Sequence, residues 1–225
     1  MPSVRFRYSP LRRTPTSSLT QWNVAQLVER GAVNSLVAGS SPAIPVLPLI
    51  LMVNSHYESV LSSAVVGDLQ NYAYSAEYQA VEQLYKGEVY QSVFAHRPPK
   101  HHRIEKYIVQ SFLAFNKEHF DYDLWGSFEV QFLKYNPGGK YDWHCDYGIS
   151  ETGVRKLSMS IQLSSAWEYN GGDLVIRDWH NRKHYISKEV GNVVVFDSRA
   201  PHKVDPITHG ERYAIVAWAH GPELR

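Results

Sequence analysis

The stretch from Tyr135 to Tyr147, YNPGGKYDWHCDY, constrains the fold of this chain more than any other. A Pro-Gly-Gly turn precedes a short segment that carries His144 and Asp146 two residues apart. In an extended strand, residues i and i+2 project from the same face. An imidazole and a carboxylate arranged in this way can bind one divalent metal ion without backbone strain. The motif therefore predicts a β scaffold with two metal ligands, and the site needs a third ligand from elsewhere.

Three histidines follow a strongly apolar run downstream and are candidates for the third ligand: His202, His209 and His220. His202 is the best placed, because it follows a proline and begins a short extended segment instead of lying inside a turn. Two histidines and one carboxylate on a β scaffold form the facial triad typical of non-haem Fe(II) oxygenases, which leaves coordination positions open. The predicted metal ligands are therefore His144, Asp146 and His202.

Arg212 opens the predicted strand ERYAIVAWAHG, in which both faces are apolar. By alternation, Arg212 shares one face with Val216 and Trp218. Because both sides of such a strand are covered, the guanidinium is expected to be partly buried, and a buried guanidinium needs an anion. The neighbouring Glu211 points to the opposite side. The pattern therefore indicates a bound ligand carboxylate as the partner of Arg212.

After Trp125 the pattern becomes one of short strands separated by Gly, Pro and Asn turn signals. Eight such strands are typical of a jelly-roll barrel, whose open mouth suits a metal ion and a small ligand. The predicted fold class is α+β, a double-stranded β-helix (jelly-roll, cupin-like) barrel covered by N-terminal helices. The predicted strands cover residues 128–135, 141–144, 156–163, 173–177, 183–187, 193–197, 202–204 and 212–218.

Residues 54–120 are predicted to be mainly helical. The segments HYESVLSSAVVGDLQNY and AEYQAVEQLYKG carry apolar residues at three- and four-residue spacing, and Gly87 is a candidate helix stop. In RIEKYIVQSFLAFNKEHF the apolar residues follow the helical period closely, so this helix is expected to cover one face of the sheet. The predicted domain comprises residues 52–225, with helical support over 52–125 and the jelly-roll core over 126–225.

The first 51 residues differ in composition from the rest of the chain. They contain five arginines and a single acid, Glu29, for a formal charge of +4, whereas the remainder carries −3. Residues 24–30 and 39–42 can be back-translated into sequences resembling the D-arm and the T-arm of a transfer-RNA gene. We interpret this segment as spuriously translated, with translation starting at Met52; the alternative is a disordered basic arm.

Cysteine content and hydropathy bear on the cellular compartment. Cys145 is the only cysteine, so no intrachain disulfide is possible, and by alternation its thiol is expected to point away from the metal. The apolar run at residues 43–53 is too short for a bilayer span and contains two prolines. A cytoplasmic protein without a membrane contact is expected. The mildly acidic balance after residue 51 argues against nucleic acid as the main partner.

One ordered set of residues resembles the prolyl 4-hydroxylase-like branch of the 2-oxoglutarate and Fe(II)-dependent oxygenases: Tyr135, His144, Cys145, Asp146, His202, Arg212 and Trp218. The segments RKLSMSIQLSSAWEYNGGDL and ERYAIVAWAHGP are similar to bacterial and phage members of that branch. The resemblance spans residues 128–222 and rests on several motifs that occur in the expected order.

This resemblance implies roles for individual side chains. The three predicted ligands would hold Fe(II), and Arg212 would bind the distal carboxylate of 2-oxoglutarate. Tyr135 and Gln162 would assist in binding this cosubstrate, with core packing as the alternative for Tyr135. Arg155 matches a substrate-side basic residue of some relatives, and its alternative is a solvated surface arginine. Val216 stands where some relatives carry a hydroxyl residue, so that contact is not expected here.

The activity implied by the resemblance is hydroxylation of a protein, peptide or amino acid side chain, with proline as the first candidate and succinate and CO2 as products of the cosubstrate. Fe(II), 2-oxoglutarate and O2 are the implied cofactors, and ascorbate is a further candidate. One alternative is oxidative demethylation of nucleic acid, but such enzymes carry a second arginine where this chain has Trp218. The other alternative is a cupin-like binding module without catalysis. Oligomeric state is left open.

Overall fold

The structure, a computed structural model, describes residues 56–58, 61–100, 102–148 and 150–222. The expectations for the first 51 residues lie outside these described residues. The elements in chain order are β1 (His56–Glu58), α1 (Ser63–Ser75), β2 (Gln79–Tyr85), β3 (Glu88–His96), α2 (Glu105–Phe115), a π-helix (Asn116–Phe120), β4 (Phe128–Tyr135), β5 (Lys140–His144), a 3-10 helix (Ser150–Val154), β6 (Arg155–Gln162), β7 (Tyr169–Gly171), β8 (Leu174–Arg177), β9 (Lys183–Tyr185), β10 (Val193–Asp197), β11 (His202–Val204), β12 (Ile207–Gly210) and β13 (Arg212–His220).

Most of the described strands belong to one curled antiparallel sheet. Its order is β1-β10-β6-β13-β4-β3-β5-β11-β8-β9, and β2 is added on β3, while β7 and β12 form a separate pair. One end of β3 pairs with β4 and the other end pairs with β5. This shared pairing joins the two halves of the sheet, so that residues of β4 and β13 line the same cavity as residues of β5 and β11.

Strand β13 separates the hydrophobic core from this cavity. Ile215, Ala217 and Ala219 are buried in the core beneath the helices. Arg212, Val216 and Trp218 line the cavity on the other face. This division follows the two-residue alternation of a strand, and it confirms the predicted orientation of the apolar and arginine-bearing faces.

Helix α2 covers one face of the sheet, as predicted. Ile108 and Phe112 are fully buried, and the Phe112 ring stacks on Phe128 of β4 with ring centroids 5.6 Å apart. Helix α1 adds Leu69 and Ala73 to the same core. Burial of an Ile, Leu or Phe side chain contributes about 1.5–3 kcal/mol relative to exposure, so the helices stabilise the sheet from its core side.

The predicted helix over AEYQAVEQLYKG is wrong, because residues 79–96 form the β2–β3 hairpin. Its turn places Lys86 at φ 52° and Gly87 at φ 84°. Two consecutive residues with positive φ match the twist of a two-residue hairpin, so Gly87 is a hairpin residue and not a helix stop. Glu, Gln, Ala and Leu favour helices locally, but pairing of β3 with two other strands outweighs this preference. Helical support within residues 52–125 is therefore limited to α1, α2 and the π-helix in the described part of that range.

All eight predicted strands are present, with ends within two residues of the predicted bounds. The short strands β1, β7 and β12 were not predicted. None of the helices in the described ranges is long and apolar enough to cross a lipid bilayer.

Candidate functional site

The three predicted ligand side chains meet on the cavity side of the sheet. His144 and His202 are direct partners in the antiparallel pairing of β5 with β11. Nε2 of His144 lies 3.8 Å from Oδ1 of Asp146, and Nε2 of His202 lies 3.4 Å from Oδ2. One ligand atom from each residue can be chosen so that all lie within 4.8 Å of one another. No other group of His, Cys, Asp and Glu side chains in the described ranges is close enough to hold a metal ion.

Asp146 reaches this cluster through a loop and not through strand alternation. Strand β5 ends at His144, and the backbone N–H groups of Asp146 and Tyr147 both donate to the Ser198 carbonyl, each at 2.9 Å. The Ser158 hydroxyl donates to Oδ2 of Asp146 at 2.6 Å. The carboxylate is therefore held by the segment that follows β10 and by a side chain of β6.

Backbone carbonyls fix the tautomers of both histidines. Nδ1 of His144 lies 2.7 Å from the Asp142 carbonyl, and Nδ1 of His202 lies 3.0 Å from the Ala200 carbonyl. Because a carbonyl oxygen only accepts hydrogen bonds, each Nδ1 carries the proton. Each Nε2 therefore presents its lone pair toward Asp146, which is the arrangement that metal-binding histidines require.

Burial and local charge favour the protonation states of metal ligands. Burial, together with the nearby His202, lowers the pKa of His144 to about 4, against the attraction of Asp146. Burial acts to raise the pKa of Asp146, but His202, His144 and Ser158 hold it below its ordinary value. At neutral pH the set therefore contains a neutral imidazole at His144 and an ionised carboxylate. Two imidazole nitrogens and one carboxylate oxygen suit Fe(II).

Arg212 lies in the same cavity, whose volume is about 800 Å³. The residue is 3% exposed, and its Nε has no hydrogen-bond partner among the described residues. No carboxylate pairs with this guanidinium among the described residues. A buried guanidinium with an unsatisfied donor fits an anionic ligand, because an unpaired buried charge is costly.

Tyr135 lies beside this arginine. The two residues are direct partners in the β4–β13 pairing, and the guanidinium lies 5.5 Å from the centre of the Tyr135 ring. Burial raises the pKa of Tyr135 to about 12, although the Arg212 charge opposes the shift. The hydroxyl is therefore protonated at neutral pH and can donate a hydrogen bond to a ligand of Arg212.

Gln162 does not line the cavity that holds the histidines. Its side-chain amide donates to the Ser164 carbonyl at 2.7 Å and to the Tyr169 hydroxyl at 3.0 Å. Both amide hydrogens are thus engaged within the protein. Its role toward a cosubstrate stays a prediction, and these contacts do not support it.

Arg155 lines the cavity near its outer end, and is not a solvated surface arginine. Its guanidinium lies 4.0 Å from the centre of the Trp218 ring and pairs with Glu129 at 2.7 Å. Cys145 is exposed, and its thiol donates to the Arg199 carbonyl at 3.2 Å. The thiol is not part of the ligand cluster, in agreement with its expected orientation.

Sequence reasoning missed Ser158 and Tyr141. Ser158 supports Asp146, and the Tyr141 ring stacks on His144 with ring centroids 3.4 Å apart. The segment KLSMSIQL carried a usable signal for Ser158, since its polar residues alternate with apolar ones on a buried strand. Buried polar side chains of this kind need hydrogen-bond partners, either within the protein or on a ligand in a cavity.

Comparison with known proteins identifies similar sequences. Residues 130–220 match the family model of the 2OG-Fe(II) oxygenase superfamily. A PKHD-type hydroxylase of Pseudomonas paraeruginosa is 34% identical over 97 residues, which cover 40% of this chain and 42% of that protein. A PKHD-type hydroxylase of Synechococcus sp. is 36% identical over 81 residues, which cover 36% of each chain. The chain thus spans about two-fifths of the length of the curated relatives that it matches.

Similar solved structures show the same fold. A Pseudomonas putida prolyl-4-hydroxylase is 19% identical with a TM-score of 0.63, over 76% of this chain and 94% of that chain. A Trichoplax adhaerens prolyl hydroxylase, solved with a peptide fragment of the hypoxia inducible factor oxygen degradation domain, is 17% identical with a TM-score of 0.59, over 91% of this chain and 94% of that chain. The predicted double-stranded β-helix fold and the resemblance stated from sequence are both confirmed.

Proposed function

We propose, from the place of residues 130–220 in the 2OG-Fe(II) oxygenase superfamily, that this chain is a 2-oxoglutarate- and Fe(II)-dependent hydroxylase of protein or peptide side chains. One observation carries the proposal. The cluster of His144, Asp146 and His202 opens into the same cavity as the buried Arg212, which lacks a protein anion among the described residues. A metal site and an anion site in one cavity suit a cosubstrate that carries a carboxylate at each end.

Individual residues of the chain would have the following roles. His144, Asp146 and His202 hold Fe(II), and the backbone carbonyls at their Nδ1 atoms keep both imidazoles oriented. Arg212 and the Tyr135 hydroxyl bind the distal carboxylate of 2-oxoglutarate. When bound, Fe(II) would activate O2 with two electrons from the oxidative decarboxylation of 2-oxoglutarate, so that 2-oxoglutarate, O2 and a substrate C–H bond give succinate, CO2 and an alcohol. The apolar residues Leu174 and Phe196 line the same cavity and would limit the access of water to it.

A peptide or protein substrate is supported by the outer part of the cavity. Gln79, Val81 and Gln83 of the β2–β3 hairpin line it, and Gln91 faces it from β3. Amide side chains both donate and accept hydrogen bonds, as a peptide backbone does. The prolyl hydroxylases with the same fold support proline as the first target to test, and one of them was solved with a peptide.

The test is succinate release from 2-oxoglutarate after anaerobic loading with Fe(II) and admission of O2. The parent is compared with His202→Ala, Arg212→Ala and the control Arg103→Ala, which changes an exposed arginine before α2. We expect slow turnover by the parent and the control, and loss in the other two variants. A parent that binds neither Fe(II) nor 2-oxoglutarate would contradict the proposal.

A further inference from the structure

Two arginines line the outer part of the cavity, and they differ in their charge partners. The guanidinium of Arg155 pairs with Glu129 at 2.7 Å. Arg97 follows the end of β3, and no carboxylate forms an ion pair with it in the part of the chain that the structure describes. Arg97 is exposed on the cavity wall and forms no ion pair with a described carboxylate, although Glu77 also lines the cavity.

The guanidinium of Arg97 is nevertheless held in place. With the Gln131 amide oxygen facing it, this oxygen accepts from Nε at 3.1 Å and from Nη2 at 2.9 Å. A guanidinium has five N–H donors in a planar fork, so three remain available for a ligand. Two hydrogen bonds to a neutral amide orient the group without neutralising it. This arrangement is suited to binding an anion from the cavity.

Strand β4 gives the spacing between this group and the inner end of the cavity. Gln131 and Tyr135 are four residues apart and face the same side, which corresponds to roughly 13 Å along a strand. Opposite them on β13 lie Val216 and Arg212, respectively. At each end the cavity therefore has a cation that forms no ion pair within the described part of the chain, Arg212 at the inner end and Arg97 at the outer end.

We infer that Arg97 binds a carboxylate of the substrate, and that Gln131 positions its guanidinium for this purpose. The inference rests on the proposed function, in which Arg212 is occupied by the cosubstrate. A peptide rises about 3.3 Å per residue when extended. The recognised carboxylate would then lie roughly two to four residues from the oxidised residue. It would belong to an Asp or Glu side chain or to the C-terminus of the substrate.

The experiment is selection of binders from a library of random nine-residue peptides on the protein loaded with Mn(II) and 2-oxoglutarate. One arm has amidated C-termini and the other has free C-termini. We expect Asp and Glu to be enriched about fivefold or more at one position in the amidated arm. If the C-terminal carboxylate is the ligand instead, enrichment of binders appears only in the arm with free C-termini.

Three variants and a control make the result specific to this arginine. Arg97→Gln should remove the acidic preference, and Arg97→Glu should replace it by a preference for Lys and Arg. Gln131→Leu should weaken it, because the guanidinium loses its support. Arg103→Gln, which changes an exposed arginine outside the cavity, should leave it unchanged.

Two results would overturn the inference. One is a library result for the parent with neither an acidic preference nor a dependence on the C-terminus. The other is a preference that Arg97→Gln retains. Succinate release from the parent without peptide is measured in parallel, so that failure of the proposed function is recognised separately.

Discussion

His144 and His202 lie directly opposite each other in the β5–β11 pair, with ring centroids 4.1 Å apart. Sheet register therefore sets the distance between the two imidazoles. Asp146 is placed differently, through a loop tied to the Ser198 carbonyl and through the Ser158 hydroxyl. Affinity for a metal ion should consequently depend on β6 and on the segment after β10, as well as on the ligands themselves.

Removal of a ligand or of its support should weaken metal binding to different extents. His202→Ala is expected to abolish stoichiometric binding of Co(II), because two ligands remain. Ser158→Ala should lower the affinity by about 10–100-fold, since the Asp146 carboxylate loses a hydrogen bond that orients it. Visible absorption of bound Co(II) measures both effects. Ser75→Ala, at an exposed serine of α1, should match the parent; an unchanged Ser158→Ala would show that the loop alone positions the carboxylate.

Replacement of the buried arginine should weaken cosubstrate binding while sparing the metal site. Charge-assisted hydrogen bonds contribute about 1.5–3 kcal/mol, so Arg212→Met should raise the Kd for 2-oxoglutarate by roughly 10–150-fold. Arg212→Lys should lose less, because it keeps the charge but not the planar fork. Isothermal titration with the Mn(II)-loaded protein measures the Kd. Parent-like affinity in Arg212→Met would exclude this residue as the carboxylate partner.

Asp197 should make stability depend on pH in the acid range. Burial acts to raise its pKa, but hydrogen bonds from Arg199 and Tyr122 hold the pKa below its ordinary value of 3.8. A depressed pKa stabilises the folded state above the unfolded pKa, and this contribution is lost as pH falls through the folded value. Asp197→Asn should therefore lower the free energy of unfolding by about 1–3 kcal/mol at pH 7, and the difference should shrink below about pH 4.

Urea unfolding of the parent and of Asp197→Asn at pH 7 and pH 3 checks this expectation. Asp123→Asn, at an exposed carboxylate, is the matched control. A difference of equal size at both pH values would mean that Asn disrupts packing and that the ionised carboxylate contributes nothing.

Two substitutions in the β2–β3 hairpin turn should change the free energy of unfolding in opposite directions. A Cβ at Gly87 would meet no atom of the described residues within 4 Å, so Gly87→Ala should cost about 1 kcal/mol through its φ of 84° alone. Lys86 also has positive φ, and asparagine tolerates that conformation better. Lys86→Asn should therefore raise the free energy of unfolding by roughly a few tenths of 1 kcal/mol. Urea unfolding of both variants measures the changes; the same sign for both would contradict the assigned turn.

The strands could be predicted because their signals are local. Strand β4 shows a hydrophobic pattern bounded by turn residues, and its predicted ends match the structure. The spacing of His144 and Asp146, with His202 and Arg212 after them in order, indicated which side chains meet in the cavity. The positions of Ser158 and Tyr141 depend on packing between strands distant in sequence, which no local spacing encodes.

The hairpin at residues 79–96 could not be predicted for a related reason. Gln79, Val81 and Gln83 face an open cavity, so β2 shows no alternation between apolar and polar residues. Its composition favours a helix, and only the pairing of β3 with β4 and β5 makes it a strand. Arg97 follows this hairpin directly, so its place on the cavity wall was also not predictable.

The two faces of β13 should respond differently to substitution. Even-numbered positions such as Val216 and Trp218 face the cavity, and odd-numbered positions such as Ile215 and Ala217 face the core. A complete substitution scan of residues 215–218 should therefore alternate between variants that lose abundance and variants that fold but change their choice of substrate. Substitutions that affect folding and substitutions that affect substrate range would then fall on different residues of one strand. Either property could therefore change in evolution while the other is kept.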